Sequence, residues 1–280
     1  MLVGHDQQKR YFDNLIKNET LGHAYLFAGP DMIGKRTFAL DLAKKILGRD
    51  IDQNPDFKFI GPKVEEGESK MYIEDVRNLK RFFSLKSYGG SNQIVVIDEA
   101  DRLTPEASNA LLKILEEPPA GAVIILVSSM PDLLLPTIIS RCERVNFVPV
   151  GVKILEDYLS EVKKLGHENK DFIIKLSGGK IGFAKMLVEG GKLDEAKKAV
   201  DDLRKLFKAG VYDKMEYAKK VNEAGDYQSK VNCWLYWVSA HVSNSPKNKK
   251  IVEDLLALHR LVSQPQFNHR LALENFLLNL

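Results

Sequence analysis

The chain has 280 residues, of which 44% are apolar and 28% charged, and a formal net charge of +3. That length holds two or three small domains with cores of their own, and the composition is that of a globular chain rather than a disordered or fibrous one. No run approaches the ~18 apolar residues of a membrane span. Two cysteines, Cys142 and Cys233, exclude a disulfide framework and a four-cysteine zinc site. Residues 1–10 lack the apolar core of a signal peptide, so a cytoplasmic protein is expected. Charge is uneven: residues 1–148 carry 19 Lys and Arg against 21 Asp and Glu, and the remainder carries 22 against 17. An excess of +5 over the helical C-terminal part is compatible with phosphate contact but is more often an ordinary solvated surface.

Residues 5–18 read as a helix, with Tyr11, Phe12, Leu15 and Ile16 at helical spacing. Residues 24–28, Ala-Tyr-Leu-Phe-Ala, read as a buried strand broken by Gly29-Pro30. Helical spacing resumes over 37–47 and stops at Gly48. The loop between them, Gly29-Pro30-Asp31-Met32-Ile33-Gly34-Lys35-Arg36-Thr37, fits G-x-x-x-x-G-K between a strand and a helix. Such a loop cradles phosphate with backbone N–H groups and the helix N-terminus, and Lys35 adds a point charge. Two features count against it. Position 36, where a hydroxyl binds magnesium, is an arginine, and Thr37 comes one place late, about 100° around the helix. Met32 is bulky for such a loop. The alternative is a strand–loop–helix turn that no longer holds nucleotide.

Residues 57–60 alternate as a strand, 73–84 read as a helix, and Tyr88-Gly89-Gly90 reads as a turn. Residues 94–97 form an apolar strand ending in Asp98-Glu99. A strand-end Asp can hold magnesium, and the next Glu can orient or deprotonate a water; an acidic helix start is the bland alternative. Thr104-Pro105-Glu106 opens a helix that Pro118-Pro119 closes. Residues 123–127 read as a buried strand before Ser128-Ser129, 133–139 as a helix leading to Ser140-Arg141-Cys142, and 145–148 as the last strand. Repeated strand–helix alternation predicts an α/β unit over residues 1–148, a largely parallel sheet covered on both faces.

Beyond residue 150 the strands stop. Residues 154–165, 169–176 and 183–189 read as three short helices and define a module at 149–192. Residues 193–280 read as all helical, over 195–207, 214–224, 227–242, 250–262 and 268–280, with Ser243–Pro246 between two of these. Trp234 and Trp237, beside Leu235 and Tyr236, make one helix apolar nearly all round, which places it in a bundle core or an oligomer interface.

In this order and spacing the motifs resemble the bacterial DNA polymerase III clamp-loader AAA+ subunits, the delta prime branch in particular. They are Leu21-Gly22-His23-Ala24-Tyr25-Leu26-Phe27, Ile97-Asp98-Glu99-Ala100-Asp101-Arg102-Leu103, Asn109-Ala110-Leu111-Leu112-Lys113 with Leu115-Glu116-Glu117-Pro118-Pro119, and Ser140-Arg141-Cys142. The matching covers about residues 20–185. The resemblance implies an AAA+ nucleotide-binding-like domain at 1–148, a helical lid at 149–192 and a helical collar for oligomerisation at 193–280. It implies that Arg141 is an arginine finger acting in trans on the ATP of an adjacent subunit. A surface salt bridge is the alternative for that residue. Gly29, Gly34, Lys35, Thr37, Asp98, Glu99 and Ser129 are then the residues of a degenerate site for ATP and magnesium.

The departures matter as much. The tau and gamma motor subunits carry Ser or Thr after the loop lysine and a sensor arginine on the lid helix. Here those places hold Arg36 and Gly182, with Lys180 nearby. Many relatives hold zinc through four cysteines; no cysteine lies between residues 43 and 97, so no zinc is expected. The function implied is that of a subunit of the DNA polymerase III holoenzyme with weak or absent ATPase activity of its own. It would join tau/gamma ATPase subunits and delta in a hetero-pentamer that loads a sliding clamp onto primed DNA. A tau/gamma-type motor ATPase and a non-catalytic scaffold of the same complex are the competing readings.

Overall fold

The computed structural model describes residues 2–65, 68–85, 87–88, 92–162, 165–241, 246–262 and 268–280. The expected turn at Gly89-Gly90 and the break at 243–245 lie outside the described residues. The chain forms two compact units, Met1–Ile154 and Leu155–Leu280.

In the first unit the elements follow as α1 (Asp6–Lys17), β1 (Ala24–Ala28), α2 (Lys35–Leu47), β2 (Phe57–Ile60), β3 (Lys63–Glu65), β4 (Glu68–Lys70), α3 (Ile73–Ser84) and β5 (Gln93–Ile97). Then come α4 (Pro105–Glu116), β6 (Ala122–Ser128), α5 (Pro136–Ile139) and β7 (Glu143–Asn146). Five strands pair in parallel in the order β2-β5-β6-β1-β7. Every residue of β1, β5 and β6 is buried, as the continuous apolar runs in the sequence require of central parallel strands.

Alternation along the strands feeds two cores. Leu26, Val95, Ile97, Ile124 and Leu126 pack with Val76, Leu79, Leu111, Ile114 and Ile138 of α3, α4 and α5. Tyr25, Phe27, Ile94, Val96 and Ile125 pack with Phe12 of α1 and Phe38, Ala39 and Leu42 of α2. The second core is aromatic: Phe12, Phe27, Phe38 and Phe147 meet edge-on or tilted, with centroids 5.1–5.9 Å apart, which adds to burial alone.

Some expected boundaries move. The last strand is Glu143–Asn146, not 145–148, because β1 ends at Ala28, which pairs with Asn146. Phe147 donates its N–H to Ala28 O at 2.7 Å and is buried without being in a strand. The expected helix at 133–139 is only α5, since Leu135 precedes Pro136 and stays extended at φ −58°, ψ 133°. The antiparallel β3–β4 hairpin, Lys63 opposite Lys70, is additional to the expected elements.

The second unit is helical throughout its described residues. After α6 (Val152–Glu161), which begins at the end of the first unit, come α7 (His167–Ser177), α8 (Ile181–Glu189), α9 (Leu193–Leu206), α10 (Val211–Ala224), α11 (Tyr227–His241), α12 (Pro246–Val262) and α13 (His269–Leu278). Trp234 of α11 is fully buried, donates Nε1–H to Ala199 O at 2.7 Å, and lies between the Tyr217 and Phe276 rings. Trp237, one turn on, is partly exposed beneath the Arg204 guanidinium, 5.2 Å from its ring centre. No helix among the described residues is long and apolar enough to cross a membrane.

Candidate functional site

Parallel strands bring their C-terminal ends to one edge of the sheet, where such folds place their ligands. Here β1 delivers Gly29, β5 delivers Asp98, and β6, lying between them, delivers Ser128-Ser129.

The loop after β1 is shaped by positive φ angles: 152° at Gly29, 59° at Met32 and 100° at Gly34. Gly34 caps α2, whose first residue is Lys35 rather than the expected Thr37. Lys35 is nearly buried, and its Nζ donates to Gly29 O at 2.7 Å and to Pro30 O at 2.5 Å. The lysine thus rests on carbonyls of its own loop. Thr37 lies exposed on α2. Arg36 Nη1 lies 3.5 Å from Asp98 Oδ2, and its guanidinium lies over the Phe59 ring.

Asp98 is buried, and burial raises its carboxyl above the ordinary range, while the Arg36 charge works in the opposite sense. Glu99 adopts the left-handed conformation at φ 48°, ψ 48° and accepts from Arg102 Nε. It is half exposed there. Ser129 takes part through its main chain. Its N–H donates to Asp101 Oδ1 at 3.1 Å, and Ser128 Oγ donates to the same oxygen. Asp101 therefore ties the β6 turn to the segment after β5. The sequence carried it in plain view within Asp98-Glu99-Ala100-Asp101, yet spacing alone gave no reason to prefer it. His5 was missed for a different reason: a lone histidine carries no pattern. Its ring Nε2 lies 2.7 Å from Ile33 O, which pins the residue before α1 to the loop.

Arg141 is elsewhere. It follows α5, with Nη2 3.0 Å from Glu116 Oε1 at the end of α4 and Nη1 donating to Thr137 O at 3.0 Å. Its side chain is 36% exposed. Ser140 Oγ donates to the same Thr137 carbonyl at 3.1 Å. Cys142 packs against the α3–α4–α5 core, and burial pushes its thiol up to about 12. Such a thiol stays protonated and unreactive at neutral pH. The triplet divides its work: serine stiffens the turn, cysteine anchors it, and arginine, partly exposed, pairs with Glu116.

A family profile described as DNA polymerase III, delta subunit, matches residues 4–151, more than half the chain. The DNA polymerase III subunit delta' of Pseudomonas aeruginosa is 31% identical over 204 residues, covering 66% of this chain and 62% of that protein. The subunit delta' of Bacillus subtilis is 33% identical over 164 residues, covering 53% and 49%. The chain thus spans roughly half to three fifths of the length of these relatives. Among solved structures, a DNA polymerase III gamma subunit-related protein of Thermotoga maritima shares the fold. Its TM-score is 0.59 at 21% identity, over 95% of this chain and 97% of that one.

Proposed function

Because the chain belongs to the DNA polymerase III delta-subunit family, we propose that it is a delta prime-type clamp-loader subunit, a stator that lends Arg141 to a neighbour's ATP. Its partners are tau/gamma ATPase subunits and a delta subunit in a hetero-pentamer in the cytoplasm, and the complex places a sliding clamp on primed DNA. Residues 1–148 form the AAA+ domain, 149–192 the lid and 193–280 the collar that assembles with the other subunits.

The observation that carries this reading is the placement of Arg141. Its polar partners are Glu116, Thr137 and Ser140, on or beside α4 and α5, and none belongs to the 29–37 loop. The guanidinium stands at the surface on a turn fixed by Cys142 and α5. Leaving Glu116 for a phosphate forfeits a partly exposed ion pair, about 0–1 kcal/mol. An arginine finger generally contributes roughly 10³–10⁵ in rate, so the exchange favours the transition state in the adjacent subunit. A fork of five donors on a planar cation suits phosphoryl oxygens better than lysine does.

The chain's own loop supports a stator over a motor. Gly29, Gly34 and Lys35 keep the residues of the phosphate-loop motif, but Arg36 stands in the hydroxyl's place, and Glu99 is engaged by Arg102. Reconstituting the complex with Arg141→Ala tests the proposal: ATP turnover falls while this subunit keeps its fold and its place in the complex. Unchanged turnover contradicts it.

A further inference from the structure

A magnesium ion beside Asp98 needs a carboxylate open to it and a hydroxyl just after the loop lysine. The residues present do not fit that ion. Position 36 is arginine, and its Nη1 lies 3.5 Å from Asp98 Oδ2. The same guanidinium lies over the Phe59 ring, with Cζ 4.7 Å from the ring centre. Arg36 lies in the first turn of α2, Phe59 belongs to β2 and Asp98 follows β5, so three elements of one unit bring a single cation to a single carboxylate. Asp98's side chain is only 11% exposed, which makes its charge costly without a partner.

We infer that Arg36 is a tethered cation that replaces the divalent metal at Asp98. The Arg36 side chain is 60% exposed, and its guanidinium meets both the carboxylate and the aromatic face. A divalent ion brought to the same carboxylate meets a positive charge already seated there. Arg36 carries one charge and donors in a plane. It offers no octahedral shell and lowers no bound water's pKa, so it neutralises Asp98 without making it a hydrolytic centre. Arg36 is thus a substitution with a gain, beyond the loss of a hydroxyl. The inference rests on reading 29–37 as a phosphate-type loop and is independent of the role of Arg141.

Two measurements on the full chain test it. The first is a double-mutant cycle of Arg36→Met and Asp98→Asn followed by urea unfolding. Arg36→Met lowers the midpoint more in the wild-type background than in the Asp98→Asn background, where only the Phe59 contact is lost. Additive effects overturn the inference. The second is manganese binding followed by electron paramagnetic resonance, with and without ADP. The wild type takes up no manganese in either case, and uptake that Asp98→Asn abolishes overturns the inference. Neither readout involves a partner subunit, so neither result bears on whether Arg141 acts in trans.

Discussion

A Cβ added at position 29 meets the Phe147 carbonyl oxygen at 2.2 Å, and Gly29 sits at φ 152°. The first glycine of the loop is therefore demanded by the passage of the chain beyond β7, whether or not phosphate ever binds. Gly29→Ala combines a main-chain clash with backbone strain and should destabilise the fold by about 3 kcal/mol in urea unfolding. A near-neutral effect would mean that the glycine serves phosphate alone. His5 adds a pH dependence. Burial is the main cause that lowers its imidazole below the ordinary 6.5, against the Ile33 hydrogen bond, which raises it. A folded pKa below the unfolded one means that unfolding takes up a proton. This share of stability is present above pH 6.5 and is lost as pH falls through the lowered folded value. Asn tolerates the left-handed backbone found at His5, φ 60°. His5→Asn should flatten the stability profile over roughly pH 7 to 5; a profile parallel to the wild type would falsify this assignment.

The elements differ in how plainly the sequence declared them. β1, β5 and β6 stand out as unbroken apolar runs because both of their faces are buried. β7 was misplaced by two residues because it is an edge strand: Glu143, Arg144 and Asn146 are exposed and polar, and its partner decides where it stops. The α5 boundary follows from Pro136, a local rule that the apolar spacing of 133–139 outweighed. The strand–loop–helix order around residues 29–37 was legible from the sequence. The Arg36–Phe59–Asp98 contact was not, because its members are far apart in sequence and meet only through the strand order. For α11 the composition could not separate two tryptophans one turn apart. Trp234 fills the core with its indole N–H satisfied, whereas Trp237 borders the surface. Trp234→Ala should cost about 3–5 kcal/mol by leaving a large cavity. Trp237→Ala should cost clearly less in the same unfolding measurement, and equal losses would show that both rings serve the core.

At the scale of the whole molecule the chain is an α/β unit joined to a helical one, with two candidate addresses for chemistry in the first. One is the strand-end site, where Lys35 rests on loop carbonyls and Arg36 on Asp98. The other is the turn after α5, where Arg141 stands at the surface with a surrenderable partner in Glu116. At the first address the cations lie against carbonyls and a carboxylate of the site itself, and at the second Arg141 pairs with a half-exposed Glu116. The proposed stator role asks for little chemistry of its own and for a guanidinium lent to a neighbour, and the half-exposed Glu116 is a partner that Arg141 can leave at small cost. The measurement that tests this most directly is ATP hydrolysis by the reconstituted complex carrying Arg141→Ala, with assembly and melting of the subunit followed in parallel. The account predicts an intact, normally melting complex with depressed turnover; wild-type turnover in an intact complex would contradict it.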